Sequence, residues 1–474
     1  MKGPLAGAMV LALLGGCSFA PPTTRPEMKI PAAYKEAPPP IDGQWKEAVP
    51  ADGTARGPWW EVFQDPALSA VVVEAASANQ DLAAAAARVE QSRTLVRSTE
   101  AARLPRVDFG AGAGGGKPEN IGPGARAGTD LPPFERYRVG FSASYEIDLF
   151  GRVRDSVKAA RADEATQQAL YESLLLSLQA DVARAYFLIR QLDAELDVVD
   201  GALRTREESL ALVRHKLAAG AASGLDLVRA EGELEAARTE RLALERARAQ
   251  YEHALAVLLG RTPAEFSLAK AALPATPPVV PAGLPSALLE RRPDIAAAER
   301  QLAAANARIG VAKSAFYPLF NLTADAGLAS GDLGQLFTWS ARTWALGPLA
   351  GALMTLPLFD GGRNQANLDR AQAALAEDTA RYRETVLRAM GEVEDALVGL
   401  RTLSAQSGTA AKTREAASTA LALATSRFDA GAASFLDVLD AERQKLQVER
   451  LERQIAADRH LTTVGLIRAL GGGW

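Results

Sequence analysis

The chain has 474 residues, 48% of them hydrophobic but only 6% aromatic, with 23% charged side chains and a formal net charge of -4. That length exceeds one ordinary core, so the chain is extended or multidomain. The charge balance lacks the basic stripe of a nucleic-acid binder, and no run of about 18 apolar residues after the start would cross a bilayer as a helix. Alanine makes up the aromatic shortfall, which suits long, closely packed helices.

The first 16 residues read as an export signal. Lys2 supplies a positive end, Leu5 to Leu14 an apolar stretch, and Leu14-Gly15-Gly16-Cys17 follows. Cys17 is the only cysteine, so a disulfide within the chain is excluded. A lone thiol placed there resembles a bacterial lipobox, in preference to a chance cysteine in a signal peptide. The resemblance implies cleavage before Cys17 and a thioether to diacylglycerol, and Ser18 after it implies the outer membrane. Residues 17–64 are rich in Pro and Ala and should run extended as a lipidated N-terminal segment. Trp59-Trp60 and Phe63, near its end, read as a packing cluster rather than an interfacial anchor.

Asp65-Pro66 reads as a helix start. Helix follows to about Arg103, broken near Asn79-Gln80-Asp81, and Pro105 ends it. A first strand over about 105–114 alternates Val107, Phe109 and Ala111 with Asp108, Gly110 and Gly112. A Gly- and Pro-rich loop precedes a second, about 135–150. There Tyr137, Val139, Phe141, Ala143, Tyr145, Ile147 and Leu149 occupy one face. Arg138, Gly140, Ser142, Ser144, Glu146 and Asp148 occupy the other. Gly151-Arg152 then begins a helical pattern without proline to about Ala219, on the order of 100 Å long. A coiled coil or tunnel needs such a helix; a globular domain does not. Gly220 to Gly224 break it, and a shorter helix runs to about Leu259.

The chain then repeats itself. Gly151-Arg152 returns as Gly362-Arg363, 211 residues on (362 − 151), and Asp226 and Glu231 return as Asp437 and Glu442 at the same offset. The predicted division is a first repeat over 65–260, a linker over 261–284, and a second repeat over 285–474. The second repeat holds strands at about 318–329 and 344–359, the last with blurred alternation. Each half is thus helix, strand, strand, long helix, turn, shorter helix. Four strands cannot close a barrel, and open edges in lipid leave unpaired backbone groups. The chain should therefore associate, and three copies give twelve strands with room for a bore.

At this point the sequence resembles the TolC-like outer-membrane factors, in their lipoprotein efflux-channel branch. The resemblance rests on Glu146-Ile147-Asp148-Leu149-Phe150-Gly151-Arg152, Arg291-Arg292-Pro293-Asp294-Ile295-Ala296 and Ala315-Phe316-Tyr317-Pro318. It rests equally on Leu356-Pro357-Leu358-Phe359-Asp360-Gly361-Gly362-Arg363, and on Gly431 with Phe435-Leu436-Asp437-Val438-Leu439-Asp440-Ala441. It implies an α+β membrane protein: a trimeric twelve-stranded β-barrel in the outer membrane, four strands per chain, continued by a periplasmic α-helical barrel. The partners implied are two further copies of the chain, outer-membrane lipid, a periplasmic adaptor and an inner-membrane pump, with no nucleic acid. The expected function is a passive exit duct for drugs or other small toxic compounds. A protein-secretion duct of type I and a lipid-anchored coiled-coil scaffold without a pore are the alternatives.

No catalytic constellation, cofactor motif or metal-ligand spacing is evident. His215, His253 and His460 read as surface or packing residues. The candidate site is the pair of helix turns. Ser223 to Asp226 and Ser434 to Asp437 each form a capping box, which already accounts for both aspartates. Asp440 lies beside Asp437 by the i, i+3 rule, beyond the reach of the cap, and its repeat equivalent is Arg229. The resemblance implies that Asp437 and Asp440 form acidic rings at the closed periplasmic end, and that Phe428, three before Gly431, helps lock it. Phe428 lacks a hydroxyl, and Ala433 stands where some relatives carry a basic residue. Closure is therefore expected to rest on packing and on Arg229 bridging Asp440 or Asp226 across neighbouring helices.

Overall fold

The computed structural model describes residues 18–22, 25–36, 57–116, 134–274, 276–280, 291–346 and 352–472. Cys17 and the signal segment lie outside them. The chain forms two compact units, and each draws on both sequence repeats. One comprises residues 1–26, 88–167 and 298–382; the other comprises 27–87, 168–297 and 383–474. Among the described residues, no helix is long and apolar enough to cross a membrane.

The helices are α1 (Pro66–Ala78), α2 (Gln80–Glu100), α3 (Arg152–Ala218), α4 (Gly224–Leu258), α5 (Pro293–Ser314), α6 (Arg363–Asp429) and α7 (Phe435–Ala469). The repeat is kept to the residue: α3 and α6 have 67 residues each, α4 and α7 have 35 each, and both pairs are offset by 211 (363 − 152, 435 − 224). Pro66 occupies the first turn of α1, where its missing N–H costs nothing, and the Asp65 carboxylate accepts from Ala67 N and Leu68 N at 2.9 and 3.1 Å. Its other oxygen accepts from the Tyr186 hydroxyl at 2.6 Å. The break between α1 and α2 is Asn79, whose extended backbone stops one helix while its side chain caps the next through Leu82 N at 3.0 Å.

In the first unit, strands β1 (Arg106–Gly116), β2 (Phe134–Ile147), β3 (Leu319–Ser330), β4 (Arg342–Leu346) and β5 (Ala352–Thr355) form one antiparallel sheet. Its order is β1-β2-β3, with β4 and β5 successively along the far edge of β3. The register puts Val107, Phe109, Val139, Phe141, Ala326 and Leu328 on one face, as the alternation predicts, and Asp108, Arg138, Glu146 and Asp325 on the other; Glu135 and Arg342 are the charged residues on the apolar face, toward its far end. Phe109 and Phe141 are cross-strand partners with ring centroids 5.2 Å apart, and both are exposed.

Two strand ends differ from expectation. β2 stops at Ile147 rather than near 150, because Asp148 leaves the ladder to cap α3. The fourth strand is interrupted: its pairing with β3 slips by four residues between β4 and β5, from Ala324↔Leu346 to Leu322↔Ala352. The slip is even, so β4 and β5 keep the same alternation of faces. The stretch 356–359 continues neither segment, and Leu358 and Phe359 are exposed.

In the second unit, the core joins Trp59 and Trp60 to Leu68, Val72, Val182, Phe187, Leu255 and Ile467. The tryptophans are 4% and 8% exposed, so they pack elements together as the sequence suggests. His460 is wholly buried against the Phe63 and Phe187 rings, and burial lowers its pKa. A buried ion triad fixes the linker: Asp193 accepts from Arg190 and Arg248 at 3.0 and 2.6 Å. The two arginines donate in turn to the Ala269 and Leu268 carbonyls, each at 2.7 Å.

Candidate functional site

Two repeated motifs shape the functional regions. The first, in the first unit, is the joint between sheet and long helix. Gly151 has φ 79°, and Gly361 and Gly362 have φ 68° and 86°, a left-handed geometry that a side chain would strain. An aspartate precedes each joint and caps the helix. Asp148 accepts from Val153 N and Arg154 N at 3.1 and 2.8 Å, and Asp360 from Gly362 N and Asn364 N at 3.0 and 2.9 Å. Arg152 reaches back to the Glu146 carboxylate with Nε at 2.8 Å, tying the helix start to the end of β2. Arg363 is exposed and does not reproduce that tie. The sequence motif marked Gly151, Arg152, Gly362 and Arg363, but it is the aspartates that fix the turn.

The second motif, in the second unit, is the pair of helix turns. Gly220 and Gly431 have φ 71° and 72°. Beyond them Ala221 N and Ala432 N donate back to the Lys216 and Arg427 carbonyls at 2.7 and 2.8 Å, a helix stop that needs the glycine. The capping boxes then restart the chain: Ser223 N and Ser434 N donate to the Asp226 and Asp437 carboxylates at 3.1 and 2.8 Å. Asp226 N and Asp437 N return the bond to the two serine hydroxyls. The backbone and hydroxyl bonds from Ser434 lower the Asp437 pKa.

Beside the turns lies a small apolar core of Leu210, Val213, Ala230, Leu234, Phe435, Val438 and Leu439. Phe428 packs on Phe435, with centroids 5.4 Å apart, and carries the Lys216 ammonium 3.9 Å from its ring centre. The same ammonium lies 3.2 Å from the Asp429 carboxylate, so Lys216 joins the end of α3 to the end of α6.

Asp440 pairs with Arg443 at 2.9 Å, and Arg443 donates through Nε to Glu233 at 2.9 Å. Glu233 also pairs with Arg206 at 3.2 Å. This chain of charges links α3, α4 and α7. Among the described residues Arg229 pairs with neither Asp226 nor Asp440, so the bridge expected across neighbouring helices is not formed within the chain, where Asp440 is taken by Arg443. Beside the network Glu442 is buried, accepts from the Ser209 hydroxyl at 3.0 Å, and has its pKa raised by burial. Sequence reasoning missed Lys216, Glu233, Arg206 and Arg443. Arg443 lies at i, i+3 from Asp440, but the contacts to Glu233 and Asp429 come from other helices and nothing local marks them. Among the described residues, no cluster of His, Cys, Asp or Glu could hold a metal ion.

A sheet whose strands lead into two 67-residue helices, with a mostly apolar face and a mostly polar one, has the build of a channel. Residues 71–261 and 284–472 match the outer membrane efflux protein family, one match to each repeat, and the chain belongs to that family. It is 35% identical over 489 residues to the solvent efflux pump outer membrane protein SrpC of Pseudomonas putida, covering 100% of this chain and 99% of that one. It is 33% identical over 470 residues to the cation efflux system protein CusC of Escherichia coli O6:H1, covering 98% and 97%. Among solved structures, the outer-membrane channel OprN superposes with a TM-score of 0.83 at 31% identity, covering 95% of this chain and 99% of that one. The open state of the MtrE outer membrane channel of Neisseria gonorrhoeae superposes at 0.81, with 31% identity and coverage of 96% and 98%. The protein is an outer-membrane channel component of an efflux system.

Proposed function

We propose that three copies assemble into a passive exit duct for drugs or other small toxic compounds, which a periplasmic adaptor and an inner-membrane pump load. One observation carries the reading: among the described residues the sheet has two free edges, β1 and the β4–β5 edge, beside an exposed apolar face with Val107, Phe109, Phe141 and Trp344. In lipid each unpaired backbone group costs several kcal/mol, so those edges must pair with other copies, and three chains make twelve strand positions. The apolar face then meets lipid and the charged face lines water. Relatives named for solvent and cation efflux support the duct.

The lipid anchor belongs to the same reading. Cys17 carries the diacylglycerol and an amide-linked acyl chain such as palmitate, and holds the chain start at the outer membrane. The next residues support it. The Ser18 hydroxyl donates to the buried Asp155 carboxylate at 2.8 Å, and Phe19 stacks on Tyr317, with centroids 4.4 Å apart, immediately before β3. The periplasmic gate is the turn region. Asp437 and Asp440 form rings around the three-fold axis. Phe428 packing and Arg229 to a neighbouring chain's acidic residues hold the end shut, and adaptor contact opens it.

Purified protein tests the proposal. It should migrate as a heat-modifiable trimer and give unitary currents in planar bilayers. A monomer without current would leave only a lipid-anchored helical scaffold. For the gate, Arg229→Ala should raise conductance, and unchanged conductance would remove Arg229 from it.

A further inference from the structure

On the charged face of the sheet one lateral row carries no side chains on three successive strands. Gly110 pairs with Gly140, and Gly140 pairs with Gly327. The two strands approach closely there: a Cβ on Gly140 would sit 2.6 Å from the Ala326 carbonyl oxygen, and one on Gly327 would sit 2.3 Å from that of Val139. Across this bare row runs an ion pair. Arg138 lies opposite Ala329 and Asp325 lies opposite Ser142, so the two are diagonal, with the Gly140–Gly327 pair between them. Arg138 Nη2 nevertheless reaches Asp325 Oδ1 at 2.9 Å. The glycines clear the floor over which the long side chain is laid.

Both partners stay open to solvent, at 58% and 46% side-chain exposure. An exposed pair of this kind contributes little to stability, about 0–1 kcal/mol. Its position therefore asks for another reason. Of the other charges on this face, Arg106 pairs with Asp108 and Arg152 with Glu146 toward the helix end of the sheet, while Arg136 lies two residues from Arg138. Arg138 and Asp325 stand further along the strands, where they line one open cleft together with Arg136.

We propose that the Arg138–Asp325 pair is a selectivity element of the membrane barrel, three copies of which set the preference of the bore for cations or anions by holding opposite charges in balance. The inference rests on the duct reading, which turns this face inward. Freeing either partner exposes three like charges in a confined bore, where fields are focused and act on ion occupancy.

The experiment is the reversal potential of the reconstituted channel across a potassium chloride gradient at about 0.1 M, where screening reaches about 10 Å. Asp325→Asn leaves Arg138 unbalanced and should shift the K/Cl permeability ratio toward chloride by about twofold or more. Arg138→Gln should shift it toward potassium by a similar factor. The double variant should return close to the parent, which also guards against an effect of misfolding. Single variants that insert and conduct with unchanged ratio, or that both shift the same way, would overturn the proposal. No current from the parent protein would instead overturn the duct reading itself.

Discussion

Glu233 is the shared acceptor of the tip network, and Glu233→Gln isolates its charge at constant shape. In the parent, Arg206 and Glu233 are 7% and 14% exposed at 3.2 Å, whereas Arg443 is half exposed. Removing the carboxylate strands a nearly buried guanidinium, for which breaking a buried pair costs about 3–5 kcal/mol. Arg206 keeps its bond to the Glu233 carbonyl at 3.0 Å, so the lower end of that range applies. The Arg443 contact, screened by solvent, adds at most about 1 kcal/mol. A loss of about 3 kcal/mol that falls only on the linked arrangement of α3, α4 and α7 shifts its population roughly a hundredfold. The variant should show faster proteolysis at Lys216 and Arg427 beside the turns and a larger or noisier conductance. Circular dichroism should report an unchanged helix content at room temperature. Parent-like proteolysis together with parent-like conductance would refute the claim that this network couples the helices at the tip.

Three further outcomes are expected. Gly310→Ala places a Cβ 2.3 Å from Asp155 Oδ2 and 2.9 Å from Ala20 N, so it should loosen the N-terminal segment. Trypsin would then cut more readily after the exposed Lys29. Phe435→Ala empties the turn core, where Phe435 is 3% exposed, and should cost about 3–5 kcal/mol, read as a fall in the midpoint of urea unfolding. For Glu442, burial raises the folded pKa above the ordinary 4.5. Its stabilising effect is full below that value and is lost as pH rises through the folded pKa. Glu442→Gln should therefore raise thermal stability at neutral pH more than at pH near 4.5, and an equal shift at both would contradict the assignment.

The local rules were legible in the sequence because they act within a few residues. Period-two alternation placed β1, β2 and β3 and their faces, and the capping boxes gave the starts of α4 and α7. The 211-residue offset gave the repeat that the paired helices keep. The end of β2 was misjudged because Leu149 continues the alternation while Asp148 is already committed to the helix cap. The slip between β4 and β5 was not legible, because a shift of four residues keeps every side chain on its face and leaves the alternation unchanged. The network around Glu233 was not legible, because Arg206 and Arg443 meet it from other helices and i, i+3 spacing says nothing about such contacts.

The repeat also separates what builds the molecule from what distinguishes its halves. The features common to both are backbone devices: the left-handed glycines, the aspartate caps at the joints, and the capping boxes at the turns. The charges of the tip are not common. Counting 211 residues across, Lys216 faces Arg427, but Phe428 and Asp429 correspond to Leu217 and Ala218. Arg206, Glu233 and Arg443 correspond to Ala417, Gln444 and Gly232, and Asp440 to Arg229. Two identical helical hairpins would give a trimer six equivalent turns with no preferred pairing among them. The unmatched residues break that equivalence: they tie the end of α3 to the end of α6 through Lys216, and α4 to α7 through Glu233 and Arg443. An opening step that moves one hairpin against the other must break these contacts and can leave every backbone device intact. On the duct reading proposed above, duplication supplies the shared backbone devices, and divergence at a handful of positions supplies the contacts that opening would break.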